Sequence, residues 1–373
     1  MDFTKYKKSE FSGKIEEAAR LAEAMRKDKD NPVDISFADI VKDKFNVSME
    51  SFYDSIGINP NIDTVENIIT TGDMDVRWII PELYMDAIRL GLRRAPIYPN
   101  VIASEQTISQ KTITMPYINH ADAKVKYVGE AETIPLGDVT FQDRTVKISK
   151  IGRGLKIPYE VKNYASLNVF SIFLEDFGNQ LGLALDTLAI NSLINGDDPS
   201  GSMSAPVIGV GTAGTLTYRD MLRVWLRMGR LGKMTNSIIG GEESGMDILD
   251  LPEFKTNQNG GRDGAGLPTS NALSMRTPLP SQAAFFVHGN VPDDQQIMVD
   301  TSSALIKLNA QPLLVESEKI VSNQTDAIYA TLTTGFANLF RDSRIILDKS
   351  VAFSGNGFPA YMDVDAFENI VID

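Results

Sequence analysis

The sequence predicts an α+β protein, on three observations. Residues 167–195, "LNVFSIFLEDFGNQLGLALDTLAINSLIN", carry apolar side chains at helical spacing over the longest such stretch of the chain. Ahead of it, "KTITMPYI" and "RTVKISK" alternate with the two-residue period of strands. Behind it, residues 215–303 switch repeatedly between helical and strand patterns, as an α/β lobe does.

Composition bounds what such a protein can be. At 373 residues the chain is long enough for two or three lobes, and with 43% hydrophobic and 23% charged residues each can bury a core. There is no cysteine, which excludes disulfides, thiolate metal sites and cysteine nucleophiles. The net charge of -13 argues against a protein that grips nucleic acid by neutralising phosphates. The first residues, "MDFTKYKKSEF", place charges where a signal peptide needs an apolar core. No apolar run approaches the ~18–20 residues of a membrane helix, so neither export by that route nor a membrane span is expected.

In chain order, residues 13–28 set Ile15, Ala18, Ala22 and Met25 on one face of a short amphipathic helix. "DKDNPVD" breaks that pattern, and the mixed polar stretch to about residue 74 has scattered apolar residues, which predicts an arm rather than a core. A packed domain begins at "VRWIIPELYMDAIRLGLRR", with Ile79, Leu83, Ala87 and Leu90 or Gly91 at helical spacing. The two strand patterns then flank residues 125–141, where Ile134-Pro135-Leu136-Gly137 fits a type I turn. The result is a long hairpin. A two-stranded hairpin is marginal in water, so this one needs a second surface, either its own core or a neighbouring subunit.

The long helix follows, with Phe170, Leu174, Phe177, Leu181, Leu185, Leu188 and Leu193 as its stripe and Gly196 in the terminating position. It spans roughly 40 Å at ~1.5 Å per residue. Gly178 and Gly182 each cost about 1 kcal/mol in a helix interior, which predicts close approach of another element there. The α/β lobe carries a Gly-rich loop at 256–266, residues 312–347 read as two antiparallel strands joined by "VSNQTD", and 351–373 form an irregular tail.

No constellation of catalytic residues emerges, and no cofactor or metal is expected. His120 and His288 lack the spacing of a zinc site. "GRLGKMT" puts Met234 where a phosphate-binding loop needs Ser or Thr, leaving Lys233 as a cation near a helix C-terminus. Gly209, Gly211 and Gly214 in "VIGVGTAG" have the spacing of a dinucleotide fingerprint. They follow a loop, precede their helix by several residues and lack the acidic partner, so a flexible connection is predicted. Asp197-Asp198 and Asp293-Asp294 sit in turn-like contexts beside prolines. The chain is therefore not expected to be an enzyme.

The ordered series of these elements resembles the major capsid proteins of tailed bacteriophages with the Hong Kong 97 type fold. The residues carrying the resemblance are "GEAETIPLGDVTF", "VKISKIGRGLKIPYEV", the helix ending "INSLINGDDPSG", the α/β lobe and the closing strands ending "FRDSRIIL". The resemblance implies an N-terminal arm (1–75) and a peripheral domain in three parts: 76–118, 146–214 with its spine helix, and the closing strands 304–350. It further implies an extended loop (119–145), an axial domain (215–303) and a C-terminal tail (351–373). It also implies a structural protein that assembles with itself as hexamers and pentamers into an icosahedral shell enclosing double-stranded DNA, without sequence-specific binding and without a membrane. Scaffolding, portal and decoration proteins would be partners, with the virion capsid as location and the host cytoplasm as the place of assembly.

Site residues follow from the same resemblance. Glu130, Glu132, Ile134, Pro135 and Arg144 would contact the adjacent subunit from the extended loop. Glu316, Glu318 and Lys319 would meet other copies near a local threefold axis. Asn259, Arg262 and Asp263 would lie in the axial loop at the centre of a hexamer or pentamer. No lysine lies between Lys126 and Lys147, and Ile134 stands where some relatives carry a cross-linking lysine, which predicts a non-covalent shell. The 75 residues ahead of the matched domain read as a retained arm, with a separate scaffolding protein. Encapsulin nanocompartment shells share this fold and give a second reading, and a nucleotide-dependent enzyme built on Gly209–Gly214 gives a third.

Overall fold

The computed structural model describes residues 19–21, 24–25, 36–65, 68, 79–94, 97–110, 112–114, 117–118, 128, 130, 134, 139–140, 145–197, 203–252, 274–276, 279 and 283–362. Residues 19–21 and 24–25 are helical, with Ala19 buried in the core, and two short helices follow, α1 (Phe37–Phe45) and α2 (Met49–Ile56). Ser36 and Ser48 cap their N-termini by accepting from Asp39 N and Ser51 N, and Asn46 and Gly57 close them in the left-handed conformation. This segment departs from the sequence reading. Phe37, Ile40, Val41 and Phe52 are buried in the same core as the long helix, with the Phe37 and Phe52 rings edge to face at 6.1 Å. Helix α3 (Ile79–Leu92) fastens the segment through Asp86, whose two carboxylate oxygens accept from Phe37 N and Ala38 N, both at 3.2 Å. Residues 36–65 and Ile68 therefore belong to the packed domain and not to an arm. Their apolar residues look scattered because they ride on two short, separately capped helices.

After α4 (Tyr98–Val101) come β1 (Ile102–Thr107), β2 (Thr112–Thr114), β3 (Tyr117–Ile118), β4 (Val139–Thr140), β5 (Thr145–Lys147) and β6 (Ser149–Pro158). Helices α5 (Tyr159–Tyr164) and α6 (Leu167–Asn195) follow. The bounds of α6 are those the sequence predicts, with Gly196 at φ 86° in the C-cap. Its buried stripe runs through Phe170, Leu174, Phe177, Leu181, Leu185 and Leu193, with Leu188 only partly buried.

The predicted close approach is present at Gly178. A Cβ there would collide with the backbone of Ile88 in α3, and a Cβ at Gly91 of α3 would collide with the backbone of Glu175. The two helices thus touch through bare backbone from both sides.

The second lobe opens with β7 (Val207–Val210), α7 (Tyr218–Arg230), β8 (Ser237–Gly240) and α8 (Glu242–Asp250), then β9 (Ser274–Arg276), β10 (Ala284–Val287) and β11 (Gln295–Val299). The chain closes with β12 (Leu305–Ile320), β13 (Thr325–Asn338) and β14 (Arg344–Ala352). Two larger sheets result, ordered β1-β12-β13-β6 and β7-β14-β11-β8-β10-β9. In the first, β13 runs antiparallel to both of its neighbours, β12 and β6, and β1 runs parallel to β12. Strands β12 and β13 are the predicted closing pair joined at "VSNQTD".

Two expectations are corrected here. "VIGVGTAG" is not a flexible connection, because Val207–Val210 is a strand with three of its four residues buried, parallel to β14. Gly209 has no room for a side chain beneath the Val351 and Ala352 backbone. The second correction concerns β14, which leaves the closing pair and crosses into the six-stranded sheet between β7 and β11. The α/β lobe therefore draws strands from both sides of residues 215–303. The tail is also partly structured: Arg223, Arg227 and Arg341 lie over the rings of Phe353, Phe358 and Tyr361 at 4.4–4.5 Å, and Met362 is fully buried.

Candidate assembly surfaces

The extended hairpin is built as two short antiparallel ladders. Strands β2 and β5 pair Thr112 with Lys147 and Thr114 with Thr145; farther out, β3 and β4 pair Tyr117 with Thr140 and Ile118 with Val139. Its root is anchored by Val146 and Ile148, buried with Ile306, Leu308 and Ala337, against which Ile113 packs. Glu130 is exposed and Ile134 is 67% exposed, and neither makes a hydrogen bond or ion pair among the described residues. Glu132, Pro135 and Arg144 lie outside the described residues, as do the predicted turn at 134–137 beyond Ile134 and the axial-loop residues Asn259, Arg262 and Asp263.

Glu316, Glu318 and Lys319 all lie exposed at the far end of β12, but on two faces of it. Glu316 and Glu318 stand opposite Tyr329 and Ala327 on the face away from α6. Lys319, opposite Asp326, faces the other way and lies over the Tyr159 ring at 5.1 Å, where Lys162 also pairs with Asp326 at 2.8 Å. The parity of positions 316, 318 and 319 within a strand is the signal that separates them, and the sequence reading grouped them without it. The hairpin tip beyond, Val321–Asn323, leaves Val321 71% exposed.

The features weighed as chemistry are built into the fold. Gly232 ends α7 in the left-handed conformation, and Lys233 donates to Ser303 Oγ at 3.2 Å while lying over the Phe340 ring at 4.2 Å. Asp197 accepts from Asn338 N at 2.7 Å, and Asp294 lies 3.6 Å from Lys349. His288 Nδ1 accepts from Asn290 N, and burial lowers its pKa. Among the described residues no cluster of metal-ligating side chains occurs, and no helix is long and apolar enough to cross a membrane.

One buried carboxylate stands apart. Asp186, fully buried on α6, accepts from Tyr98 N at 2.7 Å and so fixes the start of α4, while its second oxygen has no hydrogen-bond partner among the described residues. Burial pushes its pKa from 3.8 up to about 6, against the pull of the Tyr98 and Ile97 amides. Because the folded-state value lies above the unfolded one, its contribution to stability is full below about pH 4 and is lost as pH rises through about 6. Relative to Asp186→Asn, the native protein should lose ~2–3 kcal/mol between about pH 4 and about pH 7.5, read from urea midpoints. A difference independent of pH would contradict this.

No protein-family profile and no curated protein matches the chain. Solved structures do. They include a virus-like particle from Pyrococcus furiosus (8% identity, TM-score 0.43, covering 72% of this chain and 98% of that one). The capsid of a native GTA particle gives 11% identity and TM-score 0.46, covering 70% of this chain and 90% of that one. An encapsulin complex from Synechococcus elongatus gives 12% and 0.45, covering 68% and 90%. The structural neighbours are phage and viral capsid proteins and an encapsulin. The fold is α+β, with several sheets and helices.

Proposed function

We propose that this chain is the major capsid protein of a tailed phage, assembling as hexamers and pentamers into an icosahedral shell that encloses double-stranded DNA. The observation that carries the reading is the extended hairpin, rooted at Val146 and Ile148 and reaching out to an exposed Ile134. Among the described residues it pairs as two-stranded ladders of three and two residue pairs, and a two-stranded hairpin is marginal in water, so in this reading a neighbouring copy supplies a second surface.

In this reading Glu130, Glu132, Ile134, Pro135 and Arg144 meet the adjacent subunit, and Glu316, Glu318 and Lys319 meet other copies near a threefold axis. Asn259, Arg262 and Asp263 line the centre of each hexamer or pentamer. Each charge pair is worth ~0–1 kcal/mol, repeated over many interfaces. With no lysine between Lys126 and Lys147, the shell is non-covalent. Scaffolding, portal and decoration proteins are its partners in the host cytoplasm, and the N-terminal segment stays attached to the subunit. Deleting residues 129–141 should leave a soluble, folded subunit that no longer assembles, as sedimentation and electron microscopy would record. Intact shells from the deletion would refute the loop's role, and shells packed with an enzyme in place of DNA would assign the chain to the encapsulins.

A further inference from the structure

The outer face of the four-stranded sheet carries charge of opposite sign on its two sides. On β6, Lys150 and Lys156 are exposed, with Gly152 and Gly154 between them on the same face. On β12, Glu316 and Glu318 are exposed. Between these strands lies β13, whose Tyr329 is 38% exposed and leans its ring across Gly154, so that a Cβ there would come within 2.9 Å of it. Register ties the rows together, with Lys156, Ala327 and Glu318 side by side and Gly154, Tyr329 and Glu316 beside them. The opposite face packs Ile157, Ile328, Ala330 and Leu332 into the core, so the charged face points away from it. None of the four charged residues has an ion-pair partner among the described residues, whereas Lys162, Lys307 and Lys349 all do.

We propose that this face docks on the same face of a second copy of the chain, about a twofold axis running along β13. That operation lays the basic strand of each copy over the acidic strand of the other. Lys156 then meets Glu318 of the second copy, and Lys156 of the second copy meets Glu318, while the two Tyr329 rings meet at the axis. Glu316 arrives over Gly154, where no side chain obstructs it. A twofold axis perpendicular to the strands would instead set lysine on lysine and glutamate on glutamate, so the charge pattern selects one orientation. Three strands ~4.8 Å apart over about seven residues give a face on the order of 300 Å², well below the ~800 Å² per partner of a stable dimer. The contact therefore works beside others in an assembly; it rests on the proposed self-assembly, and it sets Glu316 and Glu318 at a twofold axis in place of the threefold one, leaving Lys319 on the other face to that contact.

The absence of cysteine allows a direct test, because Tyr329→Cys supplies the sole thiol. A bis-maleimide matched to the ~10 Å spacing of stacked sheets should join two copies in the assembled protein, or in concentrated protein where no particle forms. Adding Lys156→Glu or Glu318→Lys should each reduce the cross-linked product about tenfold, and an equimolar mixture of these two variants should restore it. Particles that form without a charge-dependent cross-link would overturn this pairing and leave self-assembly standing. The absence of both particles and cross-link would overturn both.

Discussion

Replacing Arg344 with methionine is expected to destabilise the folded chain by ~3–5 kcal/mol. Arg344 is the largest of the fully buried side chains among the described residues and stands at the first position of β14. Its Nε donates to Leu193 O at 2.7 Å, its Nη1 to Phe340 O at 3.2 Å and its Nη2 to Met203 O. Leu193 O lies in the last turn of α6, where helix carbonyls lack intrahelical donors and a cation is favoured. One guanidinium thus ties the end of the long helix to the first strand of the chain's return into the six-stranded sheet. Methionine fills much of the volume but leaves the buried carbonyls of Leu193 and Met203 without this donor, each costing ~1–3 kcal/mol before relaxation, while the part-buried Phe340 O keeps the Ser343 hydroxyl. Arg344→Lys should recover only part, because a compact ammonium cannot span three acceptors held in a planar fork. Urea unfolding monitored by circular dichroism measures the loss, and a change under about 1 kcal/mol for methionine would contradict the role.

Gly178→Ala should destabilise by ~2–4 kcal/mol, although alanine is favoured over glycine in a helix by about 1 kcal/mol. The added methyl meets the Ile88 backbone, which cannot rotate aside as a side chain can. Gly229→Ala in α7 is the internal comparison. Nothing lies within 4 Å of its Cβ, so there the helical preference should prevail and stability should rise by ~0.5–1 kcal/mol. Equal signs for the two substitutions would show that the α3–α6 contact does not constrain Gly178.

These glycines also mark what the sequence could convey. The bounds of α6 were legible because a helical stripe and a terminating glycine are local signals, and the cost of Gly178 pointed to a close neighbour without naming α3. Strands β12 and β13 were legible from their alternation and polar turn. Strands β7 and β14 were not assigned correctly, since "VIGV" and "RIIL" are buried on both faces and lose the alternation that distinguishes a strand. The packing of α1 depended on Asp86, nearly fifty residues away, and no local pattern encodes such a cap. For the assembly surfaces, the order of the elements leads to the expectation of an extended loop, most of which lies outside the described residues. The division of Glu316 and Glu318 from Lys319 required only the alternation already present in "VESEKI".

The measurement that bears most directly on self-assembly is electron microscopy of the purified protein, paired with a solution mass of the particles. Closed shells, or rings of five and six copies, are the expected result. A protein that remains monomeric at high concentration, alone and when co-expressed with a scaffolding protein, would contradict the account.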